Sequence, residues 1–359
     1  MGSPSFEDIV DIAQATESAY YKRGGVTDLT SDIQEYYALP KLLTEEKVTI
    51  QDGKDVRFKL MFDDNGAGRW TQLYDVDQYN RKNVLAEGVA TWTHFNTSWS
   101  IDTQEVDLQG GETKIVDLMK TQRDGARISE VKMVERAFWA APTSSADLDH
   151  PCGVAYSIVK TGSGTGSFAG TVPSGWTTVY GITPNTAAGT VGARWMNWCF
   201  EYGTAVIDDE VDKVAVAMKK CGFRPPVSGM ATTARAAGQR FGLYTTFDNC
   251  RSLEKLVKDQ NDNLGNELDI VDGTARIRKA TLNWVPELDD NTSHPLYGKA
   301  PIYGIDWNSF FAVVKSGWWR KPTGPRQSTQ QRLVIVCDYD TTMQFLNVNR
   351  RASFVGATA

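Results

Sequence analysis

The chain has 359 residues, 41% of them hydrophobic, which supplies a sizeable core for two or three lobes and excludes an intrinsically disordered protein. Its 38 Lys and Arg against 44 Asp and Glu give a net charge of −6, which disfavours a dedicated, sequence-reading nucleic-acid binder. Five scattered cysteines indicate neither a disulfide framework nor a zinc site, and no apolar run reaches the roughly 18 residues of a membrane span. We therefore expect a soluble protein of a reducing, intracellular compartment.

The N-terminal third predicts a helix followed by a long hairpin. Residues 5–22 carry apolar side chains at helical spacing, and Gly24 and Gly25 end that pattern. From Glu46 to Leu108 the strand-like runs KVTIQ, DVRFKLMF, VATWTHF and SWSIDTQEVDL are separated by polar, Gly-containing stretches. The middle of this region, Phe62 to Gly88, is polar and poor in core residues. It is therefore expected to project from the body and to need another surface to hold it.

A proline-free segment from Glu112 to Ala140 predicts one long helix of about 43 Å. Its apolar residues fall near one stripe: Ile115, Met119, Ile128, Val131, Val134 and Phe138. After it, the Gly/Ser-rich stretch Thr161 to Gly175 and the turn-rich residues up to Gly192 predict a small lobe or insertion lying on the surface.

The C-terminal half mixes helices and strands. Asp208-Asp209-Glu210 begins a predicted helix that Gly222 ends, and its acidic first turn and basic last turn suit the helix dipole. A second helix is predicted from about Asn249 to Asn263. The runs QRLVIVCDY and TTMQFLNVNR predict two strands joined at Asp340-Thr341. The fold class is α+β, with a long helix and an extended hairpin attached to a mixed core.

The stretch WNSFFAVVKSGWWRKP, from Trp307 to Pro322, places five large rings beside three basic groups. So much ring surface suits base stacking, a sugar-binding face or a dry protein contact. The best basic candidates for nucleic acid, the pairs Arg320-Lys321 and Arg350-Arg351, make a small footprint in an acidic chain. We interpret this region as core and inter-subunit packing, with these candidate contact residues: Trp307, Phe310, Phe311, Trp318, Trp319, Arg320, Arg350 and Arg351.

No motif predicts an enzyme. His94, His150 and His294 are isolated, and neither paired His/Cys metal ligands nor a G-x-S-x-G nucleophile elbow occurs in the sequence. We predict no catalytic, cofactor-binding or metal-binding residue.

Four stretches follow one another in this order: ARWMNWCFEYG, TLNWVPELD, APIYGIDWNSFFAVVKSGWWRKP and QRLVIVCDYDTTMQFLNVNRRASFVG. Together they resemble major capsid proteins of tailed double-stranded DNA bacteriophages. Their joint order covers about Arg194 to Gly356, and the order of arm, hairpin and long helix extends the likeness over nearly the whole chain.

The resemblance implies the tailed-phage capsid fold. We expect an N-terminal arm at 1–44, an extended hairpin loop at 45–110, and an axial domain at 201–344. The peripheral domain would hold the long spine helix and the Gly-rich insertion at 111–200, with a C-terminal return to it at 345–359.

The function that the resemblance implies is structural, without a cofactor. Copies would assemble through hexamers and pentamers into an icosahedral shell enclosing double-stranded DNA without sequence specificity, with the hairpin lying over an adjacent subunit. Portal and scaffolding proteins are implied partners, decoration proteins are a further class, and no membrane is involved. The expected location is the virion capsid, after assembly in the host bacterial cytoplasm.

Two alternatives stay open. One is a non-viral compartment shell of the same fold. The other is an intracellular carbohydrate-binding protein or glycosidase that uses the tryptophans as sugar platforms, which needs two acids at a suitable separation.

Overall fold

The fold is described from a computed structural model of the chain. It describes residues 48–358 apart from these gaps: 51–52, 65, 67, 77–81, 103, 105–111, 163, 165, 188, 204–206, 223–240, 260–267, 272–273, 279 and 331–332. The predicted N-terminal helix at 5–22 and the arm at 1–44 lie outside the described residues.

Fifteen strands are described: β1 Val48–Ile50, β2 Asp55–Met61, β3 Leu85–Thr91, β4 Thr93–Asp102, β5 Ser167–Gly170, β6 Asn197–Tyr202, β7 Phe241–Thr245, β8 Leu268–Val271, β9 Thr274–Ile277, β10 Ala280–Trp284, β11 Ile302–Asp306, β12 Phe310–Lys315, β13 Lys321–Gln327, β14 Val334–Asn347 and β15 Phe354–Thr358. The described α-helices are α1 Glu112–Trp139, α2 Val154–Ser157, α3 Val191–Arg194, α4 Ile207–Lys220, α5 Phe247–Asp259 and α6 Pro286–Asp290. A 3₁₀ turn covers Arg350–Ala352.

The first sheet has five strands organised around the long strand β14. Strands β12 and β13 pair with one side of β14 and β4 pairs antiparallel with the other, while β1 extends the sheet parallel to β12. The two strands predicted to join at Asp340-Thr341 are one continuous strand of 14 residues, so that prediction was wrong. Both polar residues fit the ladder, because Asp340 accepts a hydrogen bond from Asn96 and Thr341 accepts one from the Arg320 amide.

The second sheet has eight strands in the order β5-β6-β15-β11-β7-β10-β9-β8. Helices α4 and α5 were predicted nearly at their observed bounds, and they cover one face of this sheet. Val214 and Ala217 of α4 and Leu253 of α5 pack there against Leu243 and Leu282. The apolar stripe at helical spacing therefore identified both the helices and the sides that they bury.

The central core lies where α1 meets both sheets. This helix has 28 residues, about 42 Å, and confirms the helix predicted from the proline-free segment. Its second half carries Val134, Phe138 and Trp139, all buried, and the Phe138 ring lies 5.5 Å from Phe310 and 5.2 Å from Phe345. Ile128 and Val131 of the predicted stripe are only half-buried.

Two expectations about local organisation change. Only β2 and β3 form the two-stranded ribbon, because β4 turns into the first sheet at buried Trp92. Val179 and Tyr180, predicted to lie in a surface lobe, are buried against the ribbon. Residues 310–347 contribute β12, β13 and β14 to the first sheet, whereas residues 354–358 pair with β6 in the second sheet.

Among the described residues, no helix is both long and apolar enough to cross a membrane.

Candidate inter-subunit surfaces

The β2–β3 ribbon is firmly anchored at its base. Val56 and Ala90 are buried in a cluster with Tyr180 and Trp195, and the Val89 amide donates to the Tyr180 carbonyl at 2.9 Å. Gly88 is needed opposite Phe58, because a Cβ atom there would lie 2.4 Å from the Phe58 ring. The ribbon therefore leaves the body in a fixed direction, since aromatic packing holds its base.

The loop at the tip of the ribbon exposes four large apolar side chains within seven residues. Trp70, Leu73, Tyr74 and Val76 are between 82% and 102% exposed. The loop nevertheless has internal order: the Gln72 amide donates to the Asp75 carboxylate at 3.1 Å, and the Asp75 amide donates to the Gln72 carbonyl at 3.2 Å. An ordered loop that exposes four large apolar side chains so close together is typical of a protein contact.

The sequence predicted a polar stretch poor in core residues here, and four exposed apolar side chains within it were overlooked. The signal was present in RWTQLYDV, where four apolar residues follow the glycines at 66 and 68. They were overlooked because they show neither the period of a strand nor that of a helix. Their exposure depends on the loop in which they lie, which periodicity does not report.

Two of the aromatic residues predicted as contacts lie inside the subunit. Trp307 and Phe310 are buried in the central core, and the Trp307 indole N–H donates to the Tyr244 hydroxyl at 3.1 Å. Their assignment as inter-subunit contacts is corrected, because the surrounding side chains already cover both rings. Phe311 is half-buried and packs against the cluster under the ribbon.

The turn between β12 and β13 divides the other aromatic residues between two faces of the sheet. Trp318 lies edge-on to His94, with the Lys321 ammonium 4.3 Å from its ring centre. Trp319 packs against the central core, and Arg320 pairs with buried Glu130 of α1 at 2.9 Å. These three residues of the turn, Trp318, Trp319 and Arg320, are part-exposed and remain proposed contacts.

The adjacent residues Arg350 and Arg351 also lie in different environments. Arg350 is fully buried, and its guanidinium donates to the carbonyls of Ser157, Trp195 and Thr171 at 2.7–2.8 Å. It therefore joins distant segments of one chain, and its assignment as an inter-subunit contact is corrected. Arg351 is half-buried, stacks on Phe168 at 4.2 Å and remains a proposed contact.

A buried carboxylate escaped the sequence analysis. Glu210 was interpreted as one of three acids at the start of a helix, yet its side chain is 1% exposed. Its carboxylate accepts a hydrogen bond from the Asn249 amide at 2.5 Å, and the same amide contacts Thr245 and Tyr202. Burial raises the pKa of Glu210 to about 7. The signal available in the sequence was that Glu210 lies four residues before buried Val214 and so on the same side of the helix.

Ten of the eleven tryptophans are buried or half-buried. All eleven are described, and Trp70 alone is fully exposed. Trp139, Trp195, Trp198 and Trp307 are core residues, and Trp318 lies under Lys321. The ring surface that raised the possibility of glycan binding is used mainly for packing.

This architecture is the fold of tailed-phage capsid proteins, as comparison with solved structures shows. The capsid protein of cyanophage A-1(L) is similar over 92% of this chain and 95% of its own, with a TM-score of 0.54 and 13% identity. That of a native GTA particle covers 95% and 99%, with a TM-score of 0.52 and 12% identity. That of the Myoviridae phage XM1 covers 95% and 98%, with a TM-score of 0.50 and 10% identity. No protein-family model and no curated protein matches the chain.

Proposed function

We propose that this chain is a structural major capsid protein, which assembles through hexamers and pentamers into an icosahedral shell around phage double-stranded DNA. The single observation that carries the proposal is the apolar tip of the ribbon. The chain also has the fold of capsid proteins over more than nine-tenths of its length, which supports the same function.

The tip provides a physical reason for assembly. Trp70, Leu73, Tyr74 and Val76 remain in water in a single chain, and burying one large apolar side chain stabilises a complex by about 1.5–3 kcal/mol. The anchored base keeps this apolar tip away from the chain's own core. In an assembly of identical subunits, a neighbouring copy lies beside every subunit and can cover its tip. Closed symmetry then limits the size of the assembly.

Several partners and contacts follow from the same proposal. The part-exposed residues Phe311, Trp318, Trp319, Arg320 and Arg351 are proposed to lie at or near contacts between copies. Portal and scaffolding proteins, and decoration proteins on some shells, are the further partners proposed. The shell would assemble in the host bacterial cytoplasm and become the virion capsid, without enzymatic turnover.

Negative-stain images of the purified protein test assembly, and a matched pair of double variants tests the role of the tip. Leu73→Ser with Val76→Ser removes two apolar side chains from the tip. Leu148→Ser with Val216→Ser removes the same residue types from exposed positions elsewhere. We expect the tip variant to stay folded and form no shells, whereas the control forms shells as the wild type does.

Equal assembly of both double variants would contradict the proposed role of the tip. A wild-type protein that stays monomeric at high concentration would contradict the capsid function itself. The nucleic-acid content of purified particles distinguishes a genome shell from a compartment that encloses protein.

A further inference from the structure

An open cavity lies at the edge of the second sheet, beside β5, α3 and the start of β6. Its volume is about 390 Å³, at the small end of the roughly 300–1,000 Å³ range of ligand pockets. These residues line it: Phe168, Thr186, Gly189, Ala193, Arg194 and Met196. No motif predicted the cavity, because its lining comes from separate segments of the chain.

Contacts around the cavity hold its wall in place within the single subunit. The Phe168 ring meets Trp198 edge-on at 5.0 Å, and the Arg351 guanidinium lies 4.2 Å from the Phe168 ring centre. On the rim, the Thr190 hydroxyl lies 2.7 Å from the side-chain oxygen of Asn185. A cavity that already has its shape binds an occupant more tightly, because less of it has to be ordered on binding.

The rim of the cavity carries a positive charge. Arg194 is exposed and forms no ion pair with any residue that the structure describes. Burial, and then the nearby charge of Arg194, lower the pKa of Arg351, so the two guanidinium groups lie on the same side of the subunit. The acid within range of Arg194 is Asp63 of the same chain, and Lys82 already pairs with it. An apolar cavity with a guanidinium at its rim suits an aromatic side chain, because Arg stacks on ring faces.

The tip of the ribbon has the complementary chemistry. Two of its four exposed apolar side chains are aromatic, and residues 62–76 carry three Asp and one Arg. The cavity therefore provides both apolar cover and opposite charge for the same segment. The body also exposes Met133, Val216 and Phe247, but these side chains project from helices, whose convex surface cannot enclose a tip.

We propose that this cavity receives the ribbon tip of a neighbouring copy, so that subunits join head to tail. The inference rests on the proposed function, because it names the surface that the tip contacts in the assembly. Tip and cavity come from different parts of one chain, so the contact joins two unlike surfaces. Such a contact closes into a ring when the rotation between subunits allows it, whereas a contact between identical patches gives a two-fold dimer. Each subunit then contributes one tip and one cavity to the ring.

A photo-cross-link tests where the tip lies. An isotope-labelled full-length chain with the photoreactive residue benzoylphenylalanine in place of Trp70 is mixed with unlabelled wild type, and the cross-linked peptides are identified by mass spectrometry. We expect cross-links between labelled and unlabelled chains, from residue 70 to peptides that contain Phe168 or residues 186–196. Cross-links to other parts of the neighbouring chain, or cross-links within one chain alone, would overturn the proposal.

A matched pair of variants tests whether assembly needs the cavity. The cavity variant carries Thr186→Trp, which fills the space, and Arg194→Glu, which reverses the charge at the rim. The control carries Thr177→Trp and Arg251→Glu at exposed positions outside the lining. Circular dichroism confirms that both stay folded. We expect the cavity variant to need at least about tenfold more protein to assemble than the control, and equal assembly of the two would contradict the proposal.

Mixing the cavity variant with the tip variant tests the head-to-tail arrangement. Benzoylphenylalanine at position 70 of the cavity variant should cross-link to the tip variant, whose cavity is intact, and the reverse pairing should give no cross-link. Equal cross-linking in both directions would overturn the arrangement. Shells that form without a cross-link between tip and cavity would overturn this inference alone, whereas chains that cross-link in this way but form no shells would overturn the capsid function alone.

Discussion

Replacing Glu210 by Gln should stabilise the folded chain at neutral and alkaline pH. The Glu210 carboxylate is buried between α4 and α5, and the Asn249 amide donates to it. Tyr202, itself a buried neutral phenol, is the titratable group that faces it from β6, and neither it nor Thr245 of β7 carries a compensating positive charge. Ionisation therefore places a charge in a site that solvates it poorly.

The size of the effect follows from the pKa. Burial raises the pKa of Glu210 from 4.5 to about 7, and each unit corresponds to about 1.4 kcal/mol. Between pH 4.5 and 7 the folded chain holds a proton that the unfolded chain has released, so stability falls as pH rises through this window. Above pH 7 the charged Glu210 carboxylate lowers the free energy of unfolding by about 3 kcal/mol, and below pH 4.5 this destabilisation vanishes.

Urea unfolding at pH 4.5, 6 and 8 measures the difference between Glu210→Gln and the wild type. We expect almost no difference at pH 4.5 and a gain for the variant of about 2 to 3 kcal/mol at pH 8, because Gln resembles the protonated acid. Asp212→Asn on the exposed side of the same helix is the control, and it should show no such trend. A pH-independent difference, or a variant less stable at pH 8, would refute this account of Glu210.

Three further predictions concern the buried residues. Arg350→Met should destabilise the fold by about 3 kcal/mol or more in urea unfolding, because three buried carbonyls lose their donor; a loss below 1 kcal/mol would contradict the proposed role of the guanidinium. His294 is buried and its pKa is lowered to about 4, so the stability of the wild type should fall as pH drops from 6.5 to 4. His294→Gln should flatten that part of the curve of unfolding free energy against pH. Parallel curves for variant and wild type would be inconsistent with burial of the neutral ring. Trp307→Ala should lower the free energy of unfolding by about 3–5 kcal/mol, because this ring is in the core. Trp318→Ala should lower it much less and impair assembly instead, because this ring is part-exposed. Thermal unfolding measures the stability and negative-stain images measure the assembly, and normal assembly of Trp318→Ala would remove that ring from the proposed contacts.

Local pattern was a good guide to the helices and to the fold class. The proline-free stretch from Glu112 predicted α1, and charged first and last turns with an apolar stripe predicted α4. These signals are local, because a helix satisfies its backbone hydrogen bonds within its own segment. The resemblance of the C-terminal half indicated the capsid fold in the same way, from residue order alone.

Pairing and burial depended on partners far away in the chain. Strand β14 is continuous because β4, some 240 residues earlier, supplies the ladder that accommodates Asp340 and Thr341. Trp307 and Trp318 belong to one short aromatic stretch, yet one is in the core and the other is part-exposed beside Lys321. Composition indicates that such rings need cover, but only the packing of α1 and β14 decides which ring the subunit itself covers.

The amino-acid sequence alone determined the long helix, the mixed class and the ribbon that leaves the body, since each rests on residues close together in the chain. The tertiary structure decided which residues face solvent and which are buried: Trp70 and Leu73 at the tip are exposed, whereas Glu210 is buried. Exposure depends on what packs around a side chain, and those neighbours come from parts of the chain that no short stretch of sequence contains.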